Sequence, residues 1–231
     1  MQSSSSSTTS TEDILDEYGN SGLRKRRTLY ASERPTKQFK TPDASLATFC
    51  AHRVALLDSP EQQIRAILQE IRVIHLSAPN KRVKPKIIIF VSNPKSAVIW
   101  SKHLAQVGKV GFIHVSDPTT TETVLANFKA GKLSILLTTD DPSTTARLYE
   151  ERATISAVIG ASPPFDKESF LGRCTLAAKA VHGNYGDNAL SATFCLRTKG
   201  WKLAATLMLQ DLRKYTNVIV TPNLEPWIQE E

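Results

Sequence analysis

Between Lys86 and Leu196, short apolar runs alternate with stretches of helical periodicity, and this alternation leaves the chain very few folds. The run Ile87-Ile88-Ile89-Phe90-Val91 is apolar at every position, which marks a strand covered on both faces. Further strand-like runs follow at 110–115, 133–138, 154–159 and 190–196. Helical stretches lie between them, over about 94–106, 121–130, 143–152 and 166–181. Gly108 and Gly131 close the first two. A strand over 53–57 and a helix after Ser59-Pro60 come first; that helix carries Ile64, Ile67, Leu68 and Ile71 as a single stripe. A last helix is expected over about 202–215. Strands separated by helices specify βαβ units. The predicted class is therefore α/β, with a parallel sheet and helices on both faces.

The folded domain is expected to occupy residues 47–231, behind a disordered tail at 1–46. Residues 2–10 are Gln, Ser and Thr only, which cannot bury a core. The net charge is +7, and the tail holds seven basic and six acidic residues, so most of the excess belongs to the domain. From Ile71 to Ser116 there is no Asp or Glu, while Arg72, Lys81, Arg82, Lys84, Lys86, Lys95, Lys102 and Lys109 fall in that span. It reads either as a solvated lysine-rich surface or as a nucleic-acid face. The tail cluster Arg24-Lys25-Arg26-Arg27 reads as a nuclear-import signal or a phosphate-binding arm, so nucleus or cytoplasm is expected, with the cluster favouring the nucleus. Cys50, Cys174 and Cys195 show no metal-binding spacing and suit a reducing compartment. No run approaches the roughly 20 apolar residues of a membrane span, and no membrane partner is expected.

In a parallel sheet, ligands bind beyond the carboxyl ends of the strands. Those ends read Val91-Ser92-Asn93, Val115-Ser116-Asp117, Thr138-Thr139-Asp140 and Gly160-Ala161-Ser162. Hydroxyl and amide side chains ahead of helices suit phosphate groups, and they equally suit helix caps. No GxxxxGK[ST] or GxGxxG loop is present, and the five histidines are scattered. Asp140-Asp141 reads as a Mg²⁺ ligand pair or as a capped loop. No catalytic residue and no metal site is assigned.

The segments Ile88-Ile89-Phe90-Val91-Ser92-Asn93, Val124 to Lys132, Ile135 to Asp140, Pro163 to Arg173, Gly183 to Phe194 and Leu209 to Trp227 follow in an order and spacing that identify a likeness. From about Phe49 to Ile228 the chain resembles the second RecA-like domain, the helicase C-terminal domain, of DEAD-box RNA helicases. The resemblance implies a RecA-like domain of the P-loop NTPase type. It also implies an RNA-backbone surface at Ser92, Asn93, Lys95, Thr138, Thr139 and Arg173.

The departures from that pattern are specific. After the Thr139-Asp140 pair, the family's arginine-glycine step and second aspartate read Thr144-Thr145 and Arg147. The family's histidine and three spaced arginines read Gly172, Arg173, Leu176 and Lys179. The later two arginines are the family's arginine fingers, worth ~10³–10⁵ in rate, or roughly 4–7 kcal/mol. Leucine supplies none of this, and lysine lacks the forked geometry. The sequence carries no first RecA-like domain and no phosphate loop, so ATP and Mg²⁺ are expected only if a partner domain completes the site. Three readings follow. One is a catalytically inactive domain that binds single-stranded RNA or acts in a ribonucleoprotein complex. The others are a protein-interaction module on a RecA-like scaffold and half of a split RNA-dependent ATPase. RNA is the expected partner, with a protein partner as the alternative.

Overall fold

The computed structural model describes residues 50–78, 84–113, 117–141, 144–145, 147–148, 155–181, 189–215 and 217–229. The tail 1–46 and its Arg24–Arg27 cluster lie outside the described residues, as do 114–116, most of the helix expected at 143–152, and Gly183 to Asn188.

The strands are β1 (Cys50–Leu57), β2 (Ile87–Val91), β3 (Val110–Phe112), β4 (Ile135–Thr139), β5 (Ala157–Gly160), β6 (Ala189–Leu196) and β7 (Asn217–Val220). The helices are α1 (Pro60–Ser77), α2 (Pro94–Leu104), α3 (Pro118–Lys129), α4 (Lys167–Val181), α5 (Lys199–Tyr215) and α6 (Leu224–Gln229). All seven strands join one sheet in the order β3-β4-β2-β5-β6-β1-β7, and every pairing is parallel. The α/β expectation holds.

Alternating side chains on each strand feed two cores. Ile87, Ile89 and Val91 of β2 join Ile67 and Ile71 of α1 and Trp100 and Leu104 of α2 on one face. Ile88 and Phe90 join Phe128 of α3, Phe170 of α4, Met208 of α5 and Trp227 of α6 on the other. β2 is therefore buried at every residue, as an all-apolar strand must be.

Helix starts follow the local chemistry. Ser59, Asn93 and Asp117 accept hydrogen bonds from the backbone N–H of Gln62, Ser96 and Thr120, and each is followed by proline. Proline at the first helical position gives up an N–H that has no helical acceptor anyway. Asp117 and Pro118 set the start of α3 three residues ahead of the sequence expectation. After α3, Gly131 takes φ 73°, a left-handed turn in which a side chain would be strained. β5 begins at Ala157, later than expected, because Ile155 and Ser156 form its approach, with the Ser156 N–H donating to the Lys86 carbonyl. Sequence reading missed β7 altogether. Its four residues are too short for a period to show, and it is defined by pairing with β1 from Ala51↔Asn217 to Val54↔Val220.

Phe128 is fully buried in the core beneath α3, which packs on β3. Phe128→Ala is expected to cost about 3–5 kcal/mol. Urea unfolding followed by circular dichroism checks this; a loss under ~1 kcal/mol would contradict the packing.

Candidate nucleic-acid interface

Ligand sites in such sheets form where neighbouring strands send their onward connections to opposite faces. Here β2 meets that condition with both of its neighbours, since Leu148 after β4 and Phe170 after β5 lie in one core and Trp100 after β2 in the other. β2 continues into α2, which packs on the Trp100 side, and β5 leads to α4, which packs on the Phe170 side. The register sets Phe90 against both Thr138 and Gly160, and Val91 against Thr139. The loops after β2, β4 and β5 thus meet at one edge, which brings Ser92 and Asn93 beside Thr139 and Asp140.

At the outer level, hydroxyls and amides dominate. The Asn93 carbonyl oxygen accepts from the Ser96 N–H at 2.8 Å and the Ser96 hydroxyl at 2.9 Å, while its amide donates to Ser92 Oγ at 3.3 Å. Ser92 Oγ also lies 3.0 Å from Ser96 Oγ. Asn93 is thus a cap first, and the cap orients Ser92. Asp141 caps the next turn, accepting from the Thr144 N–H at 3.1 Å, which favours the capped-loop reading of Asp140-Asp141 over the Mg²⁺ one. Asp166 caps α4 through the Ser169 N–H at 2.7 Å. Ser92, Asn93 and Thr139 are half-buried and Lys95 is exposed.

The inner level departs from the sequence expectation. The resemblance sets Arg173 against RNA, yet the residue is only 1% exposed. Its Nε donates to Asp140 Oδ1 at 2.8 Å, Nη2 pairs with Asp140 Oδ2, and Nη1 donates to the Ser162 carbonyl at 2.7 Å. The guanidinium carbon sits 4.7 Å from the centre of the Phe90 ring, adding a cation–π contact. Thr138 is likewise fully buried, its hydroxyl donating to the Thr139 carbonyl at 3.2 Å. Neither Arg173 nor Thr138 presents its side chain to a ligand. Asp140, read in the sequence as the first of two adjacent acids, is half of a buried ion pair. The stretch around Arg173 mixes Glu168, Ser169 and Thr175 with apolar residues, so nothing local marks the arginine as buried, and a charge enters the interior only with a partner.

Gly160 makes room for this pair. A Cβ there would lie 2.5 Å from Arg173 Nη1 and 3.0 Å from Thr193 Oγ1. Beside it, His52 of β1 is fully buried, with Nδ1 at 2.7 Å from Ser191 Oγ and Nε2 at 3.2 Å from Thr193 Oγ1. Burial, reinforced by the nearby Arg173 charge, pushes the imidazole down to about 3 from its ordinary 6.5. Burial likewise pushes the Cys195 thiol up to about 12, with Arg173 opposing, so the thiol is an inert part of the core.

Of the other positions that depart from the helicase pattern, Gly172 and Leu176 have packing roles of their own. Gly172 lets Thr145 approach, since a Cβ would lie 2.9 Å from Thr145 Cγ2. Arg147 donates to Glu122 of α3 at 3.0 Å, an exposed pair of small energetic weight. Leu176 is 1% exposed and belongs to the core. Lys179 lies on α4, and its side chain is outside the described residues. The acid-free basic span is divided: Lys95 stands at this edge, while Lys84, Lys86 and Lys109 precede β2 and β3 at the opposite one.

The described geometry defines a RecA-like α/β domain. No family model and no curated protein matches the sequence. Solved structures do match the fold. The yeast DEAD-box splicing factor Prp28 aligns with a TM-score of 0.58 at 14% identity, covering 78% of this chain and 37% of that one. S. cerevisiae Dbp5 bound to RNA and ADP BeF3 aligns with a TM-score of 0.52 at 14% identity, covering 78% and 46%. The C-terminal domain of the DEAD-box protein Dbp5 aligns with a TM-score of 0.51 at 16% identity, covering 78% and 97%. The fold is that of the C-terminal RecA-like domain of DEAD-box helicases. The chain spans less than half the length of the first two of these proteins.

The buried pair and its neighbouring histidine each give a measurable outcome. Asp140→Ala strands a buried guanidinium and is expected to cost about 3–5 kcal/mol in urea unfolding. Asp140→Ala combined with Arg173→Leu should cost clearly less than the two single changes added; strict additivity would refute the pairing. The second outcome concerns pH. His52 has a depressed folded-state pKa, so between 6.5 and about 3 the unfolded chain binds the proton and the folded one does not. Stability should therefore fall as pH drops through that window, by up to about 1.4 kcal/mol per pH unit. His52→Gln should flatten the upper part of that window, above the range in which ordinary carboxylates titrate. An unchanged slope would show that His52 protonates in the folded state.

Proposed function

We propose that this domain holds single-stranded RNA by its sugar–phosphate backbone at the carboxyl edge, and that it does not hydrolyse ATP by itself. The observation that carries this reading is the division of the edge into two levels. Ser92, Asn93, Lys95 and Thr139 lie outermost, at the start of α2 and the end of β4. A phosphodiester carries one negative charge and is well matched by hydroxyls, amides and a single lysine, which position a strand without reading its bases. The helicase structure that resembles this fold and was solved with RNA supports the choice of ligand.

Three side chains argue against a nucleotide being completed here. Arg173 is committed to Asp140 and Ser162, Leu176 is core, and Arg147 is turned to Glu122. A guanidinium aimed at the transferring phosphate accelerates phosphoryl transfer by ~10³–10⁵, and none of these positions supplies it. A first helicase domain supplied in trans would meet Leu176 at an arginine-finger position, which weakens the split-ATPase reading. The protein-interaction reading has its own support, because Leu203 and Leu207 stand exposed one turn apart on α5.

Fluorescence anisotropy with a labelled oligouridylate at low salt tests the proposal. A salt-sensitive affinity is expected, weakened several-fold by Lys95→Glu, with no phosphate release above buffer when ATP and RNA are added. No binding at about 50 mM salt, or ATP turnover by the chain alone, would overturn it.

A further inference from the structure

We infer that the domain has a second polyanion surface, at the amino-terminal edge of the sheet opposite Ser92 and Asn93, where a row of lysines fits the phosphate backbone of a single-stranded nucleic acid. Lys109 immediately precedes β3, Lys86 immediately precedes β2, and Lys132 enters β4. These strands are neighbours in the order β3-β4-β2. Backbone hydrogen bonds tie their starts together: the Ser134 N–H donates to the Lys109 carbonyl at 2.9 Å, and the Ile87 N–H to the Ser134 carbonyl at 2.9 Å. With strands about 4.8 Å apart, the three starts span roughly 10 Å across the edge. Lys129 ends α3 at the same edge, where its carbonyl accepts from Lys86 Nζ at 2.8 Å. Lys102 lies in the last turn of α2, and Lys84 extends the row beyond Lys86.

Solvation and helix ends account for part of this charge. A lysine in a last helical turn complements the partial negative charge there, and this explains Lys102 and Lys129. Two helix ends supply only about one negative charge between them, against six lysines. Lys84, Lys102, Lys109 and Lys132 have no carboxylate within ion-pairing distance among the described residues. Glu150 and Glu151 lie outside those residues. Glu70, Glu122 and Asp58 pair with arginines elsewhere on the molecule. The positive field reaches His75, held below its ordinary pKa by burial and by Lys84.

A nucleic acid suits this row better than an acidic protein. Among the described residues no large apolar side chain is exposed at the starts of β3, β4 and β2 themselves; Val73 and Leu76, exposed in the last turns of α1, border the row only at its Lys84 end. Lysines alone are point charges that track a phosphate backbone without selecting bases.

The test uses the full chain and a labelled oligouridylate, with binding followed across a salt series. Lys84→Glu, Lys109→Glu and Lys132→Glu are combined in one variant, and its thermal unfolding is compared with wild type. The affinity should fall more than ~10-fold at low salt, and the slope of log K against log salt should shrink by about 2, at ~0.7 for each phosphate no longer neutralised. The corresponding triple Lys→Gln variant should show the same direction, which keeps the test valid if charge reversal impairs folding. Affinity within about twofold of wild type with an unchanged slope would overturn the inference. So would equal displacement of the RNA by poly-L-glutamate at matched charge, which would assign the edge to an acidic polypeptide. If Lys95→Glu weakens binding and the triple variants do not, this edge fails and the carboxyl-edge proposal stands; the reverse result sustains this edge and removes that proposal.

Discussion

A guanidinium buried at the centre of a parallel sheet must be neutralised and fully hydrogen-bonded, and the carboxyl edge of this domain is arranged around that requirement. Arg173 comes from α4, Asp140 from the end of β4, the Ser162 carbonyl from the turn after β5, and the aromatic face beneath from Phe90 of β2. Four separate stretches of chain are thereby held at one point. Such a pair adds little net stability over an apolar replacement, because desolvation offsets most of the attraction. Its value lies in geometry. An uncompensated charge in the interior is costly enough that the three loops have one acceptable arrangement, and the outer Ser92–Lys95 turn is carried on it.

That constraint extends sideways through small residues. Gly160 leaves space for the guanidinium, Thr193 fills the gap beyond it, and His52 packs against Thr193 and Ser191. A polar layer thus runs under α4 from β4 to β1, inside what the strand pattern alone presents as an apolar core. Ser162 Oγ and Thr175 Oγ1, also buried there, have no protein partner among the described residues.

The sheet, its parallel sense and most helix positions were legible in the sequence because burial on both faces leaves a run such as Ile87–Val91 that nothing else explains. Caps were legible as well, since Ser59-Pro60 and Asn93-Pro94 act within a few residues of themselves. What was not legible depends on contacts distant in the chain. β7 exists because β1 has a free edge beside it. Arg173 reads as a surface residue until Asp140, 33 positions earlier, is brought against it. The lysine-rich span looked like one feature, and the topology divides it between the two ends of the strands, since each helix returns the chain from one edge to the other.

Leu176 has a consequence of its own. Its leucine side chain is 1% exposed and belongs to the same core as Phe170, Phe90 and the α5 residues Trp201, Ala205 and Met208. An arginine at that position would put a second guanidinium into the interior, where Asp140 is already paired with Arg173. A phosphate-facing arginine there would therefore require a repacked helix α4 and not one substitution alone.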